Sequence, residues 1–428
     1  MAANQAVELL VRTDPGTPCG ELMRRYWQPA ALAEELPEGG APLAVRLLGE
    51  DLVLFRDNQG RPGLLALHCS HRGADLSYGR IEDGGLRCIY HGWLYDIQGR
   101  CLDQPGEPGG GAHRDSIRHP AYPCVEKAGI IFAYLGPGEA PLFPKYEFLN
   151  VPDEQVYATK LLHECNYLQA NEGNIDLSHL SFLHYNYMNK GIGGGAKRSA
   201  PETPSEPISG RGAVPTVETA DAELTGFGVR SYKIRRDVAP DQYQLYLTEF
   251  VLPNFTAFPS ILRGVGGYMV NWHVPIDDTH HWKYTFIFNR ERQVERDWRE
   301  RASGLRTPDY RPVRNKRNRY LQDRKSMQRE SYSGIGFDFV AQDLWVTEGQ
   351  GPIQDRSSEH LVSMDKAVLA ARKLLLTAVY NLMEGREPPN VVRDPSQNGF
   401  RIVAFNGVLS NAKNWREHGK DLEAEVKA

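Results

Sequence analysis

Cys69-Ser70-His71 and Cys88-Ile89-Tyr90-His91 set two cysteine-histidine pairs, one at C-x-H and one at C-x2-H spacing, with sixteen residues between them. Any fold this chain adopts has to bring both pairs to one metal site. Two chemistries take such a donor set. In a 2Fe-2S cluster two thiolates suit one iron and two imidazoles the other, which raises the reduction potential above the all-cysteine type and leaves a one-electron carrier. A structural zinc ion accepts the same Cys2His2 set in a tetrahedron. Each pair stands on a short glycine-bearing loop, Cys69-Ser70-His71-Arg72-Gly73 and Cys88-Ile89-Tyr90-His91-Gly92-Trp93.

The rest of the chain is large for a metal clip. Its 428 residues allow two ordinary domains, or one large and one small, and 41% apolar content supplies a sizeable core. A balance of 50 basic against 54 acidic residues argues against nucleic-acid or membrane-surface binding driven by bulk charge. Apolar runs such as Ala128 to Gly136 fall far short of a membrane span, and Arg372-Lys373 interrupts the run from Ala367 to Met383. The first sixteen residues lack the basic start and apolar stretch of a signal peptide, so a soluble, cytoplasmic protein is expected. Cys19, Cys101, Cys124 and Cys165 show no framework spacing and are expected as buried small hydrophobes in a reducing compartment.

Residues 43 to 135 form short strand-like runs punctuated by Gly, Pro and Asp, the pattern of a small antiparallel β domain. After Pro152 the pattern changes. Leu161 to His184 has helical periodicity, a polar stretch from Asn189 to Pro215 is too long for a mere connector, and strand-like alternation resumes at Gln242 to Phe258 and Gly267 to Asn289. Helical patterns then run from Val294 to Glu300, about Arg317 to Glu330, and Ser358 to Met383. The order fits an α+β class, with a sheet covered by helices. Within the first helical stretch stand Asp176, His179 and His184. On a regular helix Asp176 and His179 share a face, but His179 and His184 diverge by about 140° at roughly 100° per residue. For both to reach one metal the helix must wind unevenly or end there. Two histidines and one carboxylate form the facial triad of a mononuclear non-haem Fe(II), leaving open positions for dioxygen and substrate. The carboxylate has to come from elsewhere.

The two glycine-bearing loops match the Rieske motif residue for residue, so residues 43–150 resemble a Rieske 2Fe-2S domain. High-potential respiratory Rieske proteins carry two more cysteines in these loops, joined as a disulfide. Ala74 and Tyr90 stand at those places here, a likeness to the lower-potential centres of oxygenases and soluble ferredoxins. The string Asp176-x2-His179-x4-His184 that follows resembles the catalytic segment of Rieske non-haem iron oxygenases. Pro15-Gly16-Thr17-Pro18 with Arg24 to Pro29, Gly351 to Arg356, and Glu359-His360-Leu361 are similar to the oxygenase (alpha) subunits of the phthalate dioxygenase and aryl O-demethylase type.

The resemblance implies an N-terminal helical segment, 1–42, packed on a catalytic domain of residues 151–428, with an antiparallel sheet covered by helices. It implies one 2Fe-2S cluster held by Cys69, His71, Cys88 and His91, and one mononuclear Fe(II) held by His179, His184 and an Asp on a C-terminal helix. Asp343, in FVAQDLWVTEG, is the best match; Glu348 is the nearby rival, Asp338 precedes the expected helix, and His360 is structural. It further implies that Asp176 links His179 to His91 of a neighbouring chain, in a homotrimer or a pair of trimers. No dinucleotide fold is encoded: Gly191 to Gly195 follows no strand and opens no helix. Electrons then come from a separate NADH-dependent reductase or ferredoxin, which the basic run from Arg311 to Arg329 would suit.

The reaction implied is hydroxylation of an aromatic acid or O-demethylation of a methoxylated, lignin-derived type of aromatic, using O2. The alternatives are ring cis-dihydroxylation of an aromatic carboxylate such as phthalate and, from another class, a Rieske-type electron carrier without oxygenase activity. Arg198, Arg235 and Arg236 are candidates to pair with a substrate carboxylate, and Phe182, Phe250 and Phe258 to pack on an aromatic ring.

Overall fold

Short strands broken at glycine turns build the first third of the chain in the computed structural model, which describes residues 2–111, 113–184, 218–260, 266–336 and 338–426. Two helices precede them, α1 (Ala2–Val11) and α2 (Pro18–Arg24). Thr17 caps α2 by accepting from the Gly20 N–H, and Pro18 sits in the first turn, where its missing donor costs nothing. The strands are β1 (Gln28–Leu32), β2 (Leu43–Leu47), β3 (Glu50–Arg56), β4 (Pro62–Ala66), β5 (Arg80–Glu82), β6 (Gly85–Arg87), β7 (Leu94–Tyr95), β8 (Cys101–Asp103), β9 (Ala121–Tyr122), β10 (Cys124–Lys127) and β11 (Ile130–Ala133). They pair in three antiparallel sheets, ordered β2-β3-β4-β9, β5-β6-β7-β8 and β1-β11-β10. The segment 1–42, expected to be helical, therefore also lends a strand to this half, with Gln28 opposite Ala133 and Leu32 opposite Ile130.

The larger half is one antiparallel sheet of eight strands: β12 (Val156–His163), β13 (Glu218–Leu224), β14 (Gly228–Ala239), β15 (Gln242–Val251), β16 (Phe255–Pro259), β17 (Tyr268–Asp277), β18 (His280–Phe288) and β19 (Phe405–Ser410). Its order is β12-β18-β17-β16-β15-β14-β13, and β19 pairs with the Gln242–Leu247 stretch of β15. Helices α3 (Tyr167–Ile175), α4 (Arg296–Ser303), α5 (Ser326–Arg329), α6 (Phe339–Gly349), α7 (Lys366–Met383) and α8 (Trp415–Glu425) complete it. Leu161 to His184, helical by periodicity, contains the end of β12, α3 and a single tight turn at His179–Ser181. The end of β12 is buried on both faces, so its apolar run carries no two-residue alternation to mark it as strand. Arg317 to Glu330 is also no continuous helix. Arg319, Tyr320 and Leu321 take positive φ, and Tyr320 turns inward to donate to Glu348.

Alternation gives the sheet two unlike faces. Phe255, Trp272, Tyr284 and Phe286 enter a core shared with α1, α2, α7 and the first half, where Phe132 meets Trp272 at 5.7 Å between ring centroids. The opposite face of β16–β18 is polar yet buried: Thr256, Asn271 and Thr285 lie in one cross-strand row, and His273 lies opposite Lys283. Burying polar groups costs free energy unless they are hydrogen-bonded, and α3 supplies the partners. Asn271 donates to Asn174 at 2.7 Å, Asn174 donates to His273 Nε2 at 2.6 Å, and Thr285 donates to Asn271 at 2.9 Å.

Buried ion pairs tie α3 to α7 as well. Glu172 accepts from Arg372 and Arg356, each at 2.6 Å, and Arg372 reaches on to Glu359 at 2.5 Å. This network accounts for Arg356 and Glu359 of the C-terminal signature. Removing one partner of a buried pair strands the other charge, at a cost of about 3 kcal/mol or more. Arg372→Met is expected to lower the thermal unfolding midpoint by several degrees while the visible spectrum of the folded protein stays unchanged; calorimetry with absorbance checks both.

Candidate metal centres

The two Cys-His loops are the same turn built twice. In the first, the Cys69 N–H donates to Ala74 O at 2.9 Å and the Gly73 N–H to Cys69 O at 2.8 Å; in the second, Cys88 donates to Trp93 O at 2.8 Å and Gly92 to Cys88 O at 3.0 Å. Gly73 and Gly92 close the turns at φ of 71° and 77°, a region that side chains disfavour. A Cβ on Gly92 would also stand 2.6 Å from Pro105 Cγ. Each loop thus turns its cysteine inward, 3% exposed, and its histidine toward the surface. The His71 and His91 rings lie 4.5 Å apart, and Trp93 stacks on His71.

Two further residues brace this end. The Tyr95 hydroxyl lies 3.2 Å from Cys69 Sγ, placed to donate to a thiolate. His119 bridges Ser70 Oγ at 2.7 Å and Ala66 O at 2.8 Å, which holds the first loop against its strand. Neither stands inside the motif, so spacing alone could not single them out. A tetrahedral zinc ion with bonds near ~2.0–2.3 Å needs its donors within roughly 4 Å of one another. Among the described residues, three His, Cys, Asp or Glu donors within 4.8 Å of one another occur only at His179, His184 and Asp343. The division of Cys69, His71, Cys88 and His91 into two thiols and two imidazoles fits a two-iron cluster.

The second group depends on where α3 stops. Asp176 leaves helical geometry (φ −70°, ψ 114°), and its carboxylate accepts from the Ser178 N–H at 2.7 Å and the Ser178 hydroxyl at 2.6 Å. This local turn competes with another helical residue and wins. The chain then makes one tight turn, His179–Ser181, which brings His179 and His184 to 5.2 Å between ring centroids despite their five-residue spacing. Asp343 comes from α6, whose N-terminus Asp338 caps by accepting from Ala341 at 3.0 Å. Asp343 Oδ1 stands 2.7 Å from His184 Nε2 and 3.7 Å from His179 Nε2, while Asp176 stands 3.7 Å from His179 Nδ1.

The imidazole of His184 is held on two sides. It stacks on Phe339 at 3.5 Å, and its Nδ1 faces Gln342 Oε1 at 2.7 Å. The Gln342 Nε2 donates to Gly336 O at 2.8 Å, which orients the amide so that Oε1 accepts and Nε2 of His184 keeps its lone pair for a metal. Burial pushes the Asp176 carboxyl up, but its contacts with His179 and Ser178 outweigh that and hold it at about 2. Burial likewise raises Asp343, and His184, His179 and Lys283 bring it below the usual carboxylate range. Two imidazole nitrogens and an anionic oxygen suit a divalent iron.

The rivals are occupied elsewhere. Glu348 accepts from the Glu164 N–H at 2.8 Å and the Tyr320 hydroxyl at 2.6 Å, Asp338 is the helix cap, and His360 lies exposed. A cavity of about 260 Å³ opens in front of His179 and Asp343, lined also by Asp176, Tyr246, Phe258 and Lys283. Arg235 lies on the sheet face of Tyr246 and Lys233, whereas Arg236 projects from the other face, exposed, with its guanidinium 5.5 Å from the Trp415 ring centroid. Phe182 is 40% exposed, and Phe250 is fully buried in the core. Arg198 and the stretch 185–217 lie outside the described residues. Sequence spacing gave no sign of Lys283 or of the bond between Gln342 and His184, because both depend on neighbours brought together only in the fold.

An electron-carrying loop pair in one domain and a separate mononuclear donor set in another define a two-centre redox protein. Comparison with known proteins agrees. Residues 26–122 match the Rieske [2Fe-2S] domain, and residues 133–428 match the LigXa C-terminal domain-like family. The chain is 35% identical to the oxygenase subunit of phthalate 4,5-dioxygenase of Pseudomonas putida, over 96% of this chain and 93% of that one. It is 32% identical to the oxygenase subunit of 5,5'-dehydrodivanillate O-demethylase of a Sphingobium species, over 93% and 85%. The fold is shared with the terminal oxygenase of carbazole 1,9a-dioxygenase from Novosphingobium sp. KA1, at a TM-score of 0.58 and 17% identity over 92% of this chain and 98% of that one. The chain belongs to the Rieske non-haem iron oxygenases, as an oxygenase alpha subunit carrying a Rieske 2Fe-2S cluster and a mononuclear iron.

Partners that orient a metal-bound histidine typically change metal affinity 10- to 100-fold when removed, by order of magnitude. Gln342→Leu is expected to weaken mononuclear iron binding by roughly that factor and to leave the cluster's visible absorption intact. Iron titration with absorbance spectroscopy measures both.

Proposed function

We propose that Cys69, His71, Cys88 and His91 hold the cluster, that His179, His184 and Asp343 hold the mononuclear iron, and that the enzyme oxidises an aromatic acid or O-demethylates a methoxylated aromatic. The observation carrying this reading is the convergence of His179, His184 and Asp343 within 4.8 Å at the mouth of a cavity of about 260 Å³. When bound, the cluster supplies single electrons and the mononuclear Fe(II) supplies oxygen activation. The chain's own residues position and screen. Phe339 and Gln342 fix the His184 ring, Asp176 fixes His179, and Phe258 and Tyr246 wall an apolar slot in which a ring is held away from water.

O-demethylation consumes one O2, two electrons and two protons, and yields a phenol, formaldehyde and water. Ring cis-dihydroxylation of an aromatic carboxylate uses the same O2 and two electrons and places both oxygen atoms on the ring. The relatives' names include both kinds of enzyme. The electrons come from a separate NADH-dependent reductase or ferredoxin. Solved structures of similar fold include an oxygenase and ferredoxin complex of carbazole 1,9a-dioxygenase, which supports a separate donor. No helix among the described residues is long and apolar enough to cross a membrane, and none of the six cysteines is in a disulfide.

Electron delivery between chains follows from the surface around His91. Its imidazole is partly exposed, and the adjoining Ile89 and Tyr90 are 61% and 55% exposed, an apolar rim suited to burial against a second copy in a homotrimer or a pair of trimers. There Asp176 would accept from His91 of the neighbouring chain while holding His179, so one carboxylate would link the two centres. Asp176→Asn is expected to keep both metal sites filled and the cluster reducible, while substrate turnover falls by about 100-fold, the upper end of the effect of losing such a supporting contact. Stopped-flow cluster reduction and single-turnover product assays separate the two; turnover at the wild-type rate would remove Asp176 from the electron route.

A further inference from the structure

Lys283 is a buried amine that is a ligand in neither metal centre, though it acts on Asp343 through space. It stands in the middle of β18, 5% exposed, on the polar face of the sheet, and its side chain lines the cavity in front of His179 and Asp343. Lys160, Arg372 and Arg230, also buried, have counter-charges at contact distance: Glu35 at 2.6 Å, Glu172 at 2.6 Å and Glu249 at 3.2 Å. Among the described residues, no hydrogen bond or ion pair engages the Lys283 ammonium. Burial without a partner favours the neutral amine at such a place, and an anion delivered by the cavity would hold it as the ammonium.

The surroundings favour a carboxylate as that anion. His273 lies opposite Lys283 on β17, and it is engaged in a chain of neutral donors: His281 donates to Cys165 O at 2.8 Å, His273 Nδ1 donates to His281 Nε2 at 3.1 Å, and Asn174 donates to His273 Nε2. His163, on the far side of that chain, lines the same cavity with both ring nitrogens unbonded among the described residues. Burial keeps His163 and His273 uncharged, so neither competes with Lys283 for an anion. Burial pulls Lys283 below its usual range as well, while Asp343, assigned above to the mononuclear iron, and Asp338 act through space to raise it. The cavity therefore has an apolar wall at Phe258 and Tyr246, a cationic point at Lys283, and carboxylates of which Asp343 is assigned to the iron and Glu172 and Glu359 are paired with Arg372. Arg235, an expected carboxylate partner, stands four strands away in the sheet order, roughly 19 Å at ~4.8 Å per strand.

The geometry points to Lys283 as the anchor of the substrate's carboxylate, selecting aromatic acids over their neutral counterparts. This deepens the function proposed above and rests on it. The test is calorimetric binding of 3-methoxybenzoate and of 3-methoxybenzamide to the iron-loaded oxygenase, without reductase or oxygen, so that no turnover enters. Wild type should bind the acid at least about 10-fold more tightly than the amide. Lys283→Met should weaken the acid about 10- to 100-fold and leave the amide unchanged, as loss of one charge-assisted hydrogen bond predicts. Lys283→Arg should retain most of the preference. Iron content and cluster absorbance report folding, and Lys283→Gln replaces Lys283→Met if the latter does not fold. Equal binding of acid and amide by wild type, equal weakening of both by Lys283→Met, or no binding of either overturns the anchor. Reductase-driven oxidation of neutral methoxybenzene by wild type, alongside any of those results, leaves the oxygenase reading standing; loss of the mononuclear iron site does not.

Discussion

The hydrogen bonds between Asn174 of α3 and the row of Asn271 and His273 on the sheet decide where the second metal site is. They seat the helix on a face that would otherwise bury unpaired polar groups, and the Glu172–Arg372–Glu359 network fixes the helix on its other side. With both held, the end of α3 is fixed in space. Asp176, His179 and His184 follow within nine residues of that end, so their positions are inherited from it. Asp343 is set independently, by the Asp338 cap that starts α6. The donor set thus rests on two helix ends, one a C-terminus and one an N-terminus, carried by one sheet.

The same sheet face pays a cost for this arrangement. His163, His273, His281, Lys283 and Asn271 are all buried, and most are satisfied only by a chain of neutral donors that runs from Asn174 to Cys165 O. A core of this kind is less stable than an apolar one of the same volume, and it is placed where the cavity needs polar walls. The other face of β16–β18 compensates. Phe255, Trp272, Tyr284 and Phe286 join the aromatic residues of the first domain in one continuous core, so the two domains share their interior and hold the cluster domain in a fixed relation to the sheet.

The cluster loops were fully legible in the sequence, because C-x-H and C-x2-H with a glycine after each is a local pattern that the backbone must satisfy locally. Asp176, His179 and His184 were legible as a string. Their geometry was not, since five-residue spacing on a helix separates the two imidazoles, and only the stop at Asp176 brings them together. The central strands β15 to β18 announced themselves by alternation, whereas β12 is buried on both faces toward its end and kept no alternation to show. Arg236 and Arg235 looked equivalent as neighbours in sequence, but adjacent residues of a strand point to opposite faces, and register is a property of the folded sheet. Tyr95 and Lys283 act on groups distant in sequence, so nothing in their own neighbourhoods marked them; Gln342 stood out only as the residue before Asp343, and its hold on His184 is made in the fold.

The central claim is that one chain holds an electron-carrying cluster and a separate iron at His179, His184 and Asp343. Metal and acid-labile sulfide analysis of wild type and of Asp343→Ala tests it most directly. The account predicts about three irons and about two sulfides per wild-type chain, and about two irons in Asp343→Ala with the sulfide content and visible spectrum unchanged. An Asp343→Ala protein that keeps its full iron content, or a wild type that never exceeds about two irons, would contradict it.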